Sequence, residues 1–340
     1  TQGYSSAASD VYKRQILLNI QIKNMSLRQL ILRVHKYFYG HNDKNRYKET
    51  NRFLWIVSNV CFRMAEQALM LCMTVHKWIG TMPPPLPCDG KFIVSLTSFP
   101  KRIENVWMVV DSIFRQQVKP RKICLYLSNE EFPKGKASLP QRLLKYEALG
   151  LEIYFRELNL MPHKKYFYAL QEYGDECIIT VDDDIYYHDD TIANLQKIHQ
   201  LYPNVICANK VCRITKKPNG NLNGYRNWGK VLSESSPSDW NCALGYKGVL
   251  YPPHCLDKSD VFNIAKIKQL ALKADDLWLK IQEMRVGVKV ASGEYLTTGV
   301  QIKGSQVTSL MSTNVGCNEN DIQWNTICKE YGMKNFMIQQ

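Results

Sequence analysis

The chain has 340 residues, too many for one small module and suited to two domains or to one large α/β domain with an appendage. Hydrophobic residues make up 45% and charged residues 22%, with a mean hydropathy of -0.31, which excludes a disordered, collagenous or polytopic membrane chain. The formal net charge is +13, and residues 1–80 carry +8 of it, with twelve Lys and Arg against four acids.

Residues 1–15 show no periodic apolar pattern and read as a non-native or disordered leader. Residues 16–80 read as a basic amphipathic helical region. Between Ile16 and Gly40, Leu27, Leu30, Ile31, Val34, Tyr37 and Phe38 recur at three- and four-residue steps, with Arg28, Arg33 and Lys36 among them. A second stretch, Phe53 to Ile79, is more apolar but is interrupted by Arg63, Glu66 and Gln67. Its longest uncharged runs, Phe53–Phe62 and Gln67–His76, are ten residues each, short of the roughly 20 that a crossing needs. Basic charge interleaved with apolar residues suggests helices lying on an anionic membrane surface, or packed on the protein. Residues 81–90 hold four prolines in six residues and read as a stiff linker.

Beyond Gly90 the texture changes. Short apolar runs at Lys91–Leu96, Lys122–Leu127, Leu151–Phe155 and Glu176–Val181 predict strands. Helical spacing is found at Glu104–Gln117, Leu139–Leu149 and Tyr166–Tyr173. Alternating strands and helices predict βαβ units and a mostly parallel sheet flanked by helices. Val205 onward reads as another strand ending at Arg213, and Gly220–Trp240 as a long polar loop. The α/β domain is placed at 91–310, followed by a tail at 311–340. The eleven cysteines include no C-x-x-C and are odd in number, which speaks against a zinc ribbon or a fully paired disulfide framework and for reduced thiols in a cytosolic setting.

The fourth strand is apolar to its end and then presents Asp182-Asp183-Asp184. Ligands of doubly wound sheets bind beyond the carboxyl ends of the strands. A side-chain period of two sends Asp182 and Asp184 to one side and Asp183 to the other. Three carboxylates need a cation, and hard oxygen ligands suit Mg²⁺ or Mn²⁺. Asp189-Asp190 before Thr191 reads as a helix cap instead. A second acid pair, Asp275-Asp276, stands at a helix start, where an acid also stabilises the helix dipole. The seven histidines include no metal-binding spacing, and none follows His254.

Three stretches in this order, Ser95–Ile103, His163–Leu170 and Ile179–Tyr186, resemble GT-A glycosyltransferases of the family 2-like type. These are bacterial enzymes that build surface or capsular polysaccharide from nucleotide-activated sugars. The resemblance runs from about Lys91 to Lys280. It implies the GT-A α/β fold, here with a basic helical N-terminal extension, and a metal-dependent transfer of a hexosyl group with inversion. The donor would be a nucleotide-diphosphate sugar and the acceptor a saccharide or a lipid-linked saccharide; no nucleic acid is implied. The family's D-x-D motif falls on Asp182 and Asp184, the ligands of Mn²⁺ or Mg²⁺. Thr97, Ser98, Arg102, Lys165, Asp182 and Asp183 would bind the donor, with Lys165 rather than Lys164 reaching the diphosphate. Asp276 matches the family's catalytic base. Asp275, Trp278, Gly245 and Gly248 would lie on the acceptor side, although Lys247 stands where relatives often carry a further glycine. The aromatic rings of Tyr225, Trp228 and Trp240 would suit sugar faces.

Two other readings stand beside this one. A nucleotidyltransferase also uses paired aspartates and Mg²⁺, but Thr97–Arg102 is not the glycine-rich phosphate loop such enzymes carry after the first strand. A non-catalytic membrane-associated scaffold with a degenerate transferase fold sits poorly with intact Asp182, Asp184 and Asp276. The expected location is cytoplasmic, peripheral on the inner face of the plasma membrane.

Overall fold

The structure is a computed structural model that describes residues 25–48, 52–231, 234–293, 299–302 and 319–333. The leader at 1–15 and the start of the first amphipathic stretch lie outside the described residues. The chain divides into two compact units, Thr1–Thr81 and Met82–Gln340.

The first unit is a pair of helices, α1 (Leu27–Lys48) and α2 (Arg52–Ile79). Helix α1 starts where Ser26 and Gln29 form a capping box: the Gln29 N–H donates to Ser26 Oγ (3.3 Å) and the Ser26 N–H to Gln29 Oε1 (3.0 Å). The buried face of α1 carries Leu32 and His35, and that of α2 carries Phe62, Ala65, Leu69 and Met73. The His35 and Phe62 rings sit 4.5 Å apart. Helix α2 runs unbroken through Arg63 and Glu66, which pair with each other at 2.9 Å. Its 28 residues measure about 42 Å, so helix length, unlike the ten-residue uncharged runs, does not exclude a crossing. By length and composition alone α2 qualifies, with a mean hydropathy of 1.2 over its best window.

The second unit is the expected mixed α/β structure. Its strands are β1 (Phe92–Thr97), β2 (Lys122–Ser128), β3 (Leu151–Arg156), β4 (Cys177–Thr180), β5 (Ile185–Tyr186), β6 (Ile206–Ala208), β7 (Val211–Arg213), β8 (Gly229–Lys230), β9 (Ser235–Ser238), β10 (Asn241–Ala243), β11 (Val249–Tyr251), β12 (Val290–Ser292) and β13 (Val300–Gln301). The main sheet has eight strands in the order β3-β2-β1-β4-β11-β6-β12-β9. Six of them run one way; β11 and β9 are antiparallel to their neighbours. Flanking helices are α3 (Val106–Phe114), α4 (Lys164–Glu172), α5 (Thr191–Leu201), α6 (Asp275–Val286) and α7 (Glu319–Glu330). The central strands are buried on both faces, which is why their sequences are continuous apolar runs rather than alternating ones.

Several expectations are corrected. The helix at Leu139–Leu149 is reduced to one turn, Gln141–Leu144, between two 3-10 turns. Pro140 occupies the cap, and Gly150 at φ +118° turns the chain into β3. The strand expected to run from Val205 to Arg213 is two strands in different sheets, since β7 pairs with β10 and β8. The Gly220–Trp240 loop contains β8 and β9. Part of the C-terminal tail is α7, whose Trp324, Ile327 and Cys328 enter the same core as Trp228 and Trp278. In the linker, the Leu86 N–H donates to the Leu149 carbonyl (2.8 Å), pinning that segment beside β3.

Candidate active site

The carboxyl ends of β1 and β4 bring two loops together. Strand β4 ends at Thr180, so Asp182–Asp184 lie in a turn, and the two-residue alternation expected of a strand does not apply. Asp182 pairs with Lys165, whereas Asp183 and Asp184 share Arg102, and the Asp182 and Asp184 carboxylates are close enough to repel each other. Arg102, from the loop after β1, pairs with Asp183 Oδ1 at 2.6 Å and with Asp184 Oδ2 at 3.2 Å. Ser98 Oγ donates to Asp183 Oδ2 (2.6 Å). Thr97 Oγ1 donates to the Tyr126 carbonyl (2.7 Å), so this hydroxyl ties β1 to β2.

Asp182 turns toward the start of α4. Lys165 Nζ lies 2.6 Å from Asp182 Oδ1 and 2.8 Å from Asp275 Oδ2, bridging the strand-end acid and the first acid of α6. Lys164, one residue earlier, points elsewhere and donates to Glu131 Oε2 (2.5 Å) and Asn159 Oδ1 (3.2 Å). The register of α4 is set by His163, whose buried ring links Tyr166 Oη and the Ala271 carbonyl, each at 2.8 Å. Because Nε2 must donate to that carbonyl, Nδ1 accepts from the Tyr166 hydroxyl, and burial favours the neutral ring.

Asp276 is held from the other side: the Gly245 N–H is 3.2 Å from both of its carboxylate oxygens. A Cβ on Gly245 would lie 2.8 Å from Asp276 Oδ1 and 3.1 Å from Lys165 Nζ, so this position needs glycine for close approach. Gly245→Ala should therefore displace the Asp276 carboxylate and cost about 1–3 kcal/mol of stability; denaturant unfolding of the variant beside the parent checks this.

The electrostatics separate these acids. Burial, followed by the neighbouring Asp275, pushes the Asp276 carboxyl up to about 8. Asp275 is buried too, but the Lys165 ammonium outweighs that penalty and holds its carboxyl below the usual range. Burial would lower the Lys165 ammonium; Asp182, Asp275 and Asp276 more than reverse this and keep it charged. Asp184 is pushed up to about 7 by burial and then by Asp182. Asp183 is raised by burial, against the pull of Arg102 and Ser98. Two acids of the turn and helix pair are thus poised near neutrality while their neighbours are fixed by cations, a pattern that perturbed functional groups show.

Among the described residues no group of three or more His, Cys, Asp or Glu could hold a metal on protein ligands alone. Asp182 and Asp184 remain as a hard-oxygen pair, with the Asp182 side chain 30% exposed and a mutual repulsion that a bound cation would relieve. That donor set fits a divalent ion whose shell is completed by water and substrate phosphate.

Other expected residues fall differently. Trp278 faces the core: it is fully buried, and its indole N–H donates to the Val261 carbonyl (3.1 Å). Two helical residues after Asp276 is about 200° around the axis, so it forms no acceptor wall. Gly248, at φ +92°, is a turn glycine packed near Asn209, Leu195 and Thr191. Trp228 is buried edge-on against Trp324 at 4.9 Å, and Trp240 lies under Lys216. Asp190 does stand at the N-cap of α5, but the Ile192 N–H is received by Gln116 Oε1 (3.0 Å). One residue was not anticipated. Tyr187 is buried, accepts the Asp182 N–H (2.9 Å) and donates to the Tyr246 carbonyl (3.1 Å), stapling the acid turn to the Gly245 segment. Its only trace in the sequence is an aromatic residue close after the acid triplet.

No protein-family model matches the sequence, and no curated protein is similar to it. Solved structures are similar at low identity. A mannosyltransferase from Pyrobaculum calidifontis in complex with GDP-Man and Mn²⁺ is 11% identical over 79% of this chain and 74% of that one, with a TM-score of 0.47. CMP:2-keto-3-deoxy-manno-octonic acid synthetase complexed with CTP is 10% identical over 67% and 99%, at 0.39. Glucosyl-3-phosphoglycerate synthase from Mycobacterium tuberculosis with Mn²⁺, UDP and glucosyl-3-phosphoglycerate is 10% identical over 69% and 80%, at 0.40.

Proposed function

We propose that the second unit is a glycosyltransferase that moves a sugar from a nucleotide-diphosphate donor to an acceptor hydroxyl with inversion. One observation carries the reading: Lys165 joins, within 2.8 Å, an acid of the strand-end turn to the acid pair that begins α6. Donor-side and acceptor-side chemistry then share one mouth of the sheet. Asp276 is partly accessible there, and its carboxyl, poised at about 8, suits a general base working near neutral pH. In the step itself the acceptor oxygen bonds to the anomeric carbon, its proton passes to Asp276, and the bond from that carbon to the diphosphate oxygen breaks. The electron pair leaves with the nucleoside diphosphate.

Each residue has a part in this. Asp182 and Asp184 would hold a divalent cation, Mn²⁺ or Mg²⁺, which when bound would neutralise the diphosphate and its growing charge. Lys165 supplies a second positive charge at the same place and keeps Asp275 ionised. Arg102 and Ser98 fix Asp183 on the donor side. The backbone N–H of Gly245 holds Asp276 in line. A hexosyl donor, a saccharide or lipid-linked acceptor and a role in bacterial polysaccharide synthesis follow from the resemblance of the three ordered motifs.

A panel of UDP-, GDP- and dTDP-sugars, each with and without Mn²⁺, tests the reading by thermal unfolding. One nucleotide-sugar should raise Tm only with the metal, because a ligand of the native state stabilises by mass action. Asp184→Ala should abolish that shift. No Mn²⁺-dependent shift with any member, or an undiminished shift in the variant, would contradict the proposal.

A further inference from the structure

We infer that the α1–α2 hairpin is a membrane-docking unit that lies in the plane of an anionic lipid surface. The first observation is where apolar surface is left in contact with water. Among the described residues, thirteen of the seventeen exposed large hydrophobic side chains belong to these two helices. On α2 they form a stripe: Val57, Val60, Met64, Leu71, Val75 and Trp78 recur at three, four and seven residues, with Trp78 80% exposed. This stripe is opposite the buried face of Phe62, Ala65, Leu69 and Met73, so α2 is apolar on two sides. On α1, Leu27, Leu30, Val34 and Tyr37 make a second exposed stripe at helical spacing. Patches of this extent on a soluble surface mark an interaction site.

Charge selects the occupant. The residues of α1 and α2 hold nine Lys and Arg against two acids. A second copy would bring two such surfaces together and repel; an anionic headgroup layer is complementary, and each basic residue near it adds to binding. The polar residues of α2 select the orientation. Asn59, Arg63, Glu66, Thr74 and Lys77 run down one flank along its whole length rather than clustering at the ends. A crossing helix would set Arg63 and Glu66 in hydrocarbon. A helix lying flat sinks its apolar stripe and leaves that flank at the headgroups, as interfacial helices do.

The test uses the full chain with vesicles of phosphatidylcholine alone, or mixed with phosphatidylglycerol, and does not depend on enzymatic activity. The protein should sediment with the anionic vesicles at least tenfold more strongly than with neutral ones. Arg33→Glu with Lys36→Glu should remove most of that preference, and Val60→Glu with Leu71→Glu should abolish binding while circular dichroism stays helical. Met64→Trp, set against brominated lipids, reads depth: quenching by bromines near the headgroup supports the flat orientation, and strongest quenching by bromines at the chain ends overturns it. Absence of vesicle binding, or self-association that Val60→Glu with Leu71→Glu disrupts without any vesicle binding, also overturns it.

Discussion

Replacing Asp276 by Asn should lower sugar transfer by about 10²- to 10⁴-fold, the range a positioned general base contributes, while nucleotide-sugar affinity stays close to that of the parent protein. The substitution keeps the shape and the contact with Gly245 but removes the ability to take a proton. In the parent, a carboxyl pushed up to about 8 must lose its proton to act. The rate should therefore climb tenfold per pH unit below that value and level off above it, and the Asn variant should show no such limb. Stability moves oppositely. The folded protein holds this proton up to about pH 8, whereas an unfolded chain releases it near 3.9. The stabilising effect of the proton is full below about pH 4 and is lost as pH rises through the folded value. Asp276→Asn, neutral at every pH, should accordingly melt above the parent at pH 9 and with it at pH 4. Thermal scans at the two pH values decide this independently of any substrate.

Lys165→Met should be the most destabilising single change at the site. The lysine is buried, its side chain only 6% exposed, and it compensates Asp182 and Asp275 directly. Removing one partner of a buried ion pair costs roughly 3–5 kcal/mol, because the charge left behind is uncompensated. In a unit of this size that is a fall of about 10 °C in Tm. Adding Asp275→Asn to Lys165→Met should recover part of the loss, since it removes one stranded carboxylate; a double-mutant cycle by denaturant unfolding measures the coupling. Lys165→Arg should not restore activity. The backbone at Gly245 approaches so closely that a mere Cβ would stand 3.1 Å from Nζ, and a guanidinium is larger and planar.

The sequence and the structure agree best where one local pattern decides the outcome. β1, β2 and β4 are buried on both faces and coincide with continuous apolar runs, while the edge strand β3 alternates buried and half-buried residues, and all four lie within a residue or two of the predicted spans. The three motifs around Ser98, Lys165 and Asp182 fell at one mouth of the sheet because each follows or faces the carboxyl end of β1 or β4. The pattern fails where tertiary contacts override it. Ile206 and Val211 sit in one apolar stretch, yet β6 and β7 part at Asn209, whose amide donates to the Lys247 carbonyl (3.0 Å) across the chain reversal. Nothing in Ser235–Ser238, which holds a proline and no apolar residue, announces a strand. The Leu139–Leu149 spacing was helical, but Pro140 and Gly150 fragment it. At the site, strand periodicity does not carry over to Asp182–Asp184, because β4 ends at Thr180. The resemblance places Trp278 on the acceptor side, but helical geometry turns it into the core, where its indole N–H meets the Val261 carbonyl. Tyr187 and the His163 link to Ala271 join residues far apart along the chain, and no short pattern encodes them.

If this acid cluster drives displacement at a sugar's anomeric carbon, the identity of the leaving group reveals it. The protein is incubated with Mn²⁺ and the nucleotide-sugar that stabilises it, or alternatively with nucleoside triphosphates and sugar phosphates, and the released product is identified by chromatography. A nucleoside diphosphate, formed by the parent protein and at least 10²-fold less by Asp276→Asn, is the predicted result. Pyrophosphate from a triphosphate, or nucleoside diphosphate released equally by the variant, would contradict the account.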